Sequence, residues 1–173
     1  MSDEHYDNET VRRILRSVRV IAMVGVSANT ARPSYFVFKY LSERGFRLIG
    51  VNPGLAGSTL LGRPVHARLA DIAEPIDMVD IFRGSEAAAG VVDEAIALRP
   101  LPKVIWMQLG VRNDAAAHKA RAHGVEVIMN RCPKIEFGRL SGEIGWTGVN
   151  SGILSSKRPQ TAKGFQKLTL DRH

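Results

Sequence analysis

The residues best suited to ligand chemistry lie in one short stretch, Gly25-Val26-Ser27-Ala28-Asn29-Thr30-Ala31-Arg32-Pro33-Ser34. It follows the apolar run Val20-Ile21-Ala22-Met23-Val24 and leads into a helical pattern that opens at Pro33. A glycine at a strand end lets backbone approach a ligand closely, and the start of a helix offers open N–H groups and a positive dipole end to an anion. Ser27 and Ser34 add hydroxyl groups, and Arg32 adds a planar, permanently charged fork that matches phosphate. The chemistry on offer is the holding of a phosphate-bearing nucleotide. A plain strand-to-helix turn is the competing reading.

The spacing also says which nucleotides fit poorly. A dinucleotide fingerprint needs G-x-G-x-x-G/A and an acidic residue about 20 positions on, at the end of the second strand, for the ribose hydroxyl. Here Ser27 and Thr30 replace the second and third fingerprint positions, and the second strand ends Val51-Asn52-Pro53 with no carboxylate. No G-x-x-x-x-G-K-[ST] phosphate loop occurs. Further strand ends add Phe82-Arg83-Gly84-Ser85 and Gln108-Leu109-Gly110-Val111. Arg83 is either a ligand-facing cation or one half of a surface ion pair. Trp106, inside an apolar run, reads as core, and His66 as a loop residue.

Cys132, the only cysteine, stands between Arg131 and Pro133-Lys134 at a predicted helix N-cap. Two cations and a helix N-terminus favour the thiolate, which makes it a candidate redox residue; a small packed side chain is the alternative. The five histidines carry no supporting triad motif, and no His, Cys, Asp or Glu cluster has metal-ligand spacing. No catalytic constellation is visible, and no metal is expected.

These residues need a scaffold, and the order of patterns supplies one. A helix with Val11, Ile14, Leu15 and Val18 on one stripe precedes the first strand, and the helix after it stops at Gly45. Short apolar strands are expected at Arg47–Val51, Ile76–Phe82, Val104–Leu109 and Val125–Met129. Between them, helices are expected to be capped by Ser85 and Asn113, with a last one opening at Pro133. Residues 55–74 read as a connector with one short edge strand and one helical turn. Strands apolar throughout are buried on both faces, so the fold expected is α/β: a Rossmann-like, doubly wound, mainly parallel sheet of five to six strands with helices on both faces. In such sheets ligands sit at the carboxyl ends of the strands.

A length of 173 residues suits one domain, read as 1–155 with a basic tail at 156–173. Much of the net charge of +7 sits near the end: from Ile153 onward, Lys157, Arg158, Lys163, Lys167 and Arg172 against Asp171 give +4. A solvated tail is the simpler reading; a polyanion site is the alternative, and nucleic acid is disfavoured as a partner. The acidic, polar start MSDEHYDNET does not resemble a targeting peptide, no run nears the roughly 18 apolar residues of a membrane span, and a lone cysteine suits a reducing compartment. A cytoplasmic location without membrane attachment is expected. Monomer and homodimer are both compatible with the residues.

In combination, Val24-Gly25-Val26-Ser27, Arg32-Pro33-Ser34-Tyr35, Val51-Asn52-Pro53, Val79-Asp80-Ile81-Phe82-Arg83, Trp106-Met107-Gln108-Leu109-Gly110 and Asn130-Arg131-Cys132-Pro133-Lys134-Ile135-Glu136 resemble the small stand-alone coenzyme-A-binding proteins. These are related to the N-terminal domain of the succinyl-CoA synthetase α-subunit. The resemblance spans about residues 10–155. It implies that Gly25, Val26, Ser27, Arg32, Pro33, Ser34 and Tyr35 hold phosphate, that Val51, Asn52, Pro53, Phe82 and Arg83 flank the adenosine, and that Gln108, Leu109, Gly110 and Val111 face the pantetheine side. Coenzyme A, or an acyl-CoA, is the implied ligand, held by a non-catalytic sensor, carrier or accessory protein. The synthetase's second domain, with its phosphorylated histidine, has no counterpart here, and its usual lysine after the second strand is replaced by Gly54-Leu55. An NAD(P)-dependent oxidoreductase, or a redox role through a Cys132–CoA mixed disulfide, are the alternatives.

Overall fold

Apolar runs of strand length alternate with amphipathic helices, and a computed structural model, which describes residues 5–142, arranges them about one sheet. In chain order the elements are α1 (Asn8–Ser17), β1 (Val20–Val24), α2 (Pro33–Glu43), β2 (Arg47–Val51), β3 (Thr59–Leu60), β4 (Arg63–His66), β5 (Met78–Ile81), α3 (Ser85–Ile96), β6 (Val104–Met107), α4 (Asp114–Ala122), β7 (Glu126–Ile128) and α5 (Pro133–Leu140). Strand order is β3-β4-β2-β1-β5-β6-β7. Every pairing is parallel except that of β3 with β4. The chain leaves β1 in one direction through β2 and then in the other through β5, which makes the β1–β5 boundary the topological switch point.

Two apolar layers cover the sheet. On one face α3 and α4 contribute Ala88, Val91, Val92, Ala95, Ala116, Ala117 and Ala120, small residues that let the helices lie close against Ala22, Val79 and Ile105. On the other, α1, α2 and α5 pack Ile14, Phe38, Leu41 and their neighbours over Met23, Met78 and Trp106. Trp106 is fully buried, and its indole N–H donates to the Arg131 carbonyl at 2.9 Å, so its core role holds. The strands are apolar on both faces because both faces are covered. No helix among the described residues is long and apolar enough to cross a membrane.

The doubly wound architecture is as expected, but the sheet has seven strands rather than five to six. The connector at 55–74 holds a complete hairpin, in which Leu60 pairs with Arg63 across the two-residue turn Leu61-Gly62. Both turn residues have positive φ, 51° and 78°, the geometry of a tight primed turn. Leucine is a poor signal for that turn, which asparagine, aspartate or glycine usually opens. His66 accordingly ends strand β4 and is not a loop residue. A smaller correction concerns α3: its cap residue is Gly84, and the Ser85 hydroxyl instead accepts the Arg112 N–H at 2.9 Å, tying this helix to the loop after β6. The Asn113 cap is present, its Oδ1 accepting from the Ala116 N–H. The basic tail at 156–173 lies outside the described residues.

Candidate ligand cleft at the strand ends

At the switch point, Gly25 ends β1 with φ of +98° and its N–H bonded to the Val51 carbonyl at 2.9 Å. The chain then runs through a loop closed by its own polar side chains. The Asn29 N–H donates to Ser27 Oγ at 3.0 Å, and Asn29 Oδ1 accepts from the Ala31 N–H at 2.9 Å. Helix α2 therefore begins at a fixed place, with Pro33 in its first turn and no side-chain cap. No acidic residue occupies that turn, so its dipole is left uncompensated toward the cleft.

The second wall comes from β2. Asn52 uses both ends of its amide: Nδ2 donates to the Val26 carbonyl at 2.8 Å, and Oδ1 accepts from the Gly54 N–H at 2.8 Å. Its own N–H reaches the His66 carbonyl, so the unexpected strand β4 helps to fix it. The third wall is the Gln108–Val111 turn after β6. There the Gly110 N–H donates to Asn130 Oδ1 at 2.8 Å, and the Asn130 N–H returns a bond to the Val111 carbonyl at 3.1 Å. Asn130 does this from a left-handed backbone, φ 58°, a conformation asparagine tolerates better than most residues.

Between these walls lies a cleft of about 800 Å³. Gly25, Val26 and Ser27 line it from β1, with Arg32, Pro33 and Ser34 from the α2 start. Asn52, Phe82 and Arg83, and then Gln108, Leu109 and Val111, are the other expected residues that line it. Four expected residues stand outside the lining. Val51 is buried in one core layer, Tyr35 packs against the other, and Pro53 and Gly110 are exposed on turns whose neighbours face the cleft instead. The lining also includes Ala28, Asn29, Gly54, Leu55 and Gly84. Ala28 and Asn29 lay within the loop already singled out; Asn130, behind the wall, had only its place in the resembling segment as a signal.

Electrostatically the cleft is one-signed. Arg32 and Arg83 line it, neither makes an ion pair among the described residues, and no acidic side chain belongs to the lining. Arg83 is thus not half of a surface ion pair among the described residues. The arrangement suits a phosphate-rich ligand whose remaining surface meets Leu55, Phe82, Leu109 and Val111.

Cys132 sits at the N-cap of α5 as expected, but its thiol is not activated. The residue is 1% exposed, and burial pushes its pKa up; the nearby Asp80 acts in the same direction, while the Ile135 N–H and the Gln108 side chain only partly oppose them. The cations on either side of it in sequence do not outweigh desolvation. Native protein should therefore resist iodoacetamide at neutral pH and react promptly once unfolded, as intact-mass analysis would register; rapid labelling of the native state would contradict the buried thiol.

Comparison with known proteins agrees with this fold. Residues 19–138 match the family described as CoA binding domain. The chain is 35% identical over 125 residues to the uncharacterized protein YneT of Bacillus subtilis, a match covering 72% of this chain and 90% of YneT. A Thermus thermophilus protein solved as cell-free ID.343 is 33% identical, with a TM-score of 0.74 over 78% of this chain and 99% of its own. A dinucleotide-forming acetyl-coenzyme A synthetase from Ca. Korarchaeum cryptofilum, at 19% identity and TM-score 0.54, shares the fold over 68% of this chain and 28% of its own.

Proposed function

Because the chain belongs to the CoA-binding-domain family, we propose that its strand-end cleft binds coenzyme A or an acyl-CoA as a non-catalytic carrier, sensor or accessory protein. The observation that carries this is the pair Arg32 and Arg83 lining a cleft at the start of α2 that has no acidic side chain among its described residues. A CoA molecule brings several phosphate charges to that end and a long uncharged arm to the other, which matches the cationic and apolar parts of the lining. The likeness to a CoA-using synthetase supports the same ligand class at the level of fold.

The nicotinamide alternative is less well supported, because Asn52 stands where a ribose-binding carboxylate belongs and already spends both amide ends on the protein. A redox role through Cys132 is opposed by the burial of its thiol. Calorimetric titration of ligand-stripped protein with CoA, acetyl-CoA, NAD and NADPH tests the reading. Selective binding of the CoA compounds is expected, and selective binding of a nicotinamide nucleotide would overturn it. Arg32→Ala and Arg83→Ala should each weaken CoA binding by roughly ten- to a hundredfold, the value of a charge-assisted contact, and flatten its salt dependence. Removal of residues 156–173 should leave that affinity unchanged, since the proposed CoA unit ends at about residue 155.

A further inference from the structure

Three buried oxygen atoms next to the cleft have no donor among the described residues. Asp80 Oδ1 and Oδ2 and Gln108 Oε1 are each without a hydrogen-bond partner, although Asp80 is fully buried and Gln108 is 5% exposed. Unpaired buried oxygens are costly, so their coincidence calls for a physical account. The sheet relates them. Met23, Asp80 and Trp106 stand in register across β1, β5 and β6. The ladder continues past the strands through Phe82 N–H to the Val24 carbonyl and Gln108 N–H to the Ile81 carbonyl. Two residues along each strand, on the same face, come Gly25, Phe82 and Gln108, which line the cleft. Asp80 thus lies one side-chain row beneath the cleft floor, on the strand adjacent to that of Gln108.

Among the described residues the surroundings offer no counter-charge. Met23 and Trp106 flank Asp80 in the sheet, and the buried residues of α1 are Val11, Ile14 and Leu15. From α2 the buried side chains are Ser34, Val37, Phe38 and Leu41. From the α5 end come the Cys132 thiol and Lys134, whose ammonium lies over the Tyr40 ring, 5.1 Å from its centre. Burial alone raises the Asp80 pKa well above the ordinary carboxyl value. A neutral carboxylic acid has what three orphan oxygens lack, a proton to share. Its O–H can donate to the orphan amide oxygen of Gln108.

We propose that Asp80 is a positioning residue: as the neutral acid it donates its O–H to Gln108 Oε1, so that the Gln108 carboxamide keeps one N–H toward the Cys132 sulfur and turns the other into the cleft as a donor for a carbonyl oxygen of the ligand. The inference rests on the CoA reading for its ligand, since the pantetheine arm carries amide carbonyls and an acyl-CoA adds a thioester carbonyl. The amide of asparagine at position 80 can donate the same bond, but an ionised aspartate cannot, and its oxygens would repel the Gln108 oxygen.

The test follows from that difference. Wild type, Asp80→Asn and Asp80→Leu are titrated with acetyl-CoA, whose sulfur has no titrating proton, and with the adenosine bisphosphate half of CoA, from about pH 6 to about pH 9. Wild-type affinity for acetyl-CoA is expected to fall toward alkaline pH, while the Asn variant keeps its neutral-pH affinity throughout. The Leu variant should be weaker roughly tenfold at every pH, and the nucleotide half should not distinguish the three proteins. Infrared difference spectra of the ligand-free proteins supply an independent readout: a protonated-carboxyl carbonyl band present at neutral pH in wild type and lost in Asp80→Asn. Absence of that band, or identical pH profiles for wild type and the Asn variant, would overturn the inference. Failure of wild type to bind acetyl-CoA with the band present would instead overturn the functional reading and with it the ligand half of this proposal.

Discussion

Replacing Gly25 by alanine should abolish ligand binding and cost the fold on the order of 2–5 kcal/mol, a large share of an ordinary domain's stability. A Cβ at this position would lie 2.3 Å from the Phe82 carbonyl oxygen and 2.9 Å from its carbon. Neither atom can swing aside, because Phe82 is held by its own N–H bond to the Val24 carbonyl at 2.8 Å. The φ of +98° adds strain for any L side chain. Gly45 separates the two effects: it has the same φ of +98°, but nothing lies within 4 Å of a Cβ there. Gly45→Ala should therefore cost only the backbone term, about 1–2 kcal/mol, and leave the cleft untouched. Urea melts of both variants, with CoA titrations of whichever remains folded, measure the difference. If Gly25→Ala proved no worse than Gly45→Ala and still bound CoA, the close approach of β1 and β5 could not be what shapes the cleft floor.

The contrast between these two glycines also shows what a sequence can and cannot convey. Both read as punctuation, one ending a strand and one ending a helix, and both are. Only the packing of β5 against β1 makes one of them irreplaceable, and that pairing joins residues more than fifty positions apart. The main strands and helices were legible because burial on both faces leaves an unbroken apolar run that local pattern detects. The hairpin at Thr59–His66 was not, because its turn uses leucine in a left-handed conformation that tertiary context imposes. Cleft residues followed the same division. Gly25, Ser27, Arg32 and Gln108 sit where strand ends must deliver them, whereas Gly54 and Leu55 reach the lining through the Asn52 turn, which depends on side-chain hydrogen bonds. Cys132 marks the sharpest limit: the flanking charges were visible in the sequence, but the burial that outweighs them was not.

The other large effect concerns stability and its dependence on pH. Asp80→Asn should make the protein more stable at neutral pH, with an advantage that grows as the pH rises. The unfolded chain releases the Asp80 proton near the ordinary carboxyl value of about 3.9, whereas the fold, by burying the group, retains it well above that value. Below the unfolded value both states are protonated and the residue carries no penalty. Above it only the unfolded state ionises, so stability falls by about 1.4 kcal/mol per pH unit until the folded pKa is reached, and then levels off. Asparagine has no such proton in either state and escapes the slope. This sign is opposite to that of Glu74, whose pKa is lowered by its hydrogen bond and charge pairing with Arg47, and whose contribution is lost as pH falls. Denaturant melts of wild type and Asp80→Asn from about pH 4 upward should therefore start together and diverge. A constant gap across that range would mean that the fold holds Asp80 ionised, and the carboxylate would then need donors that the described residues do not provide.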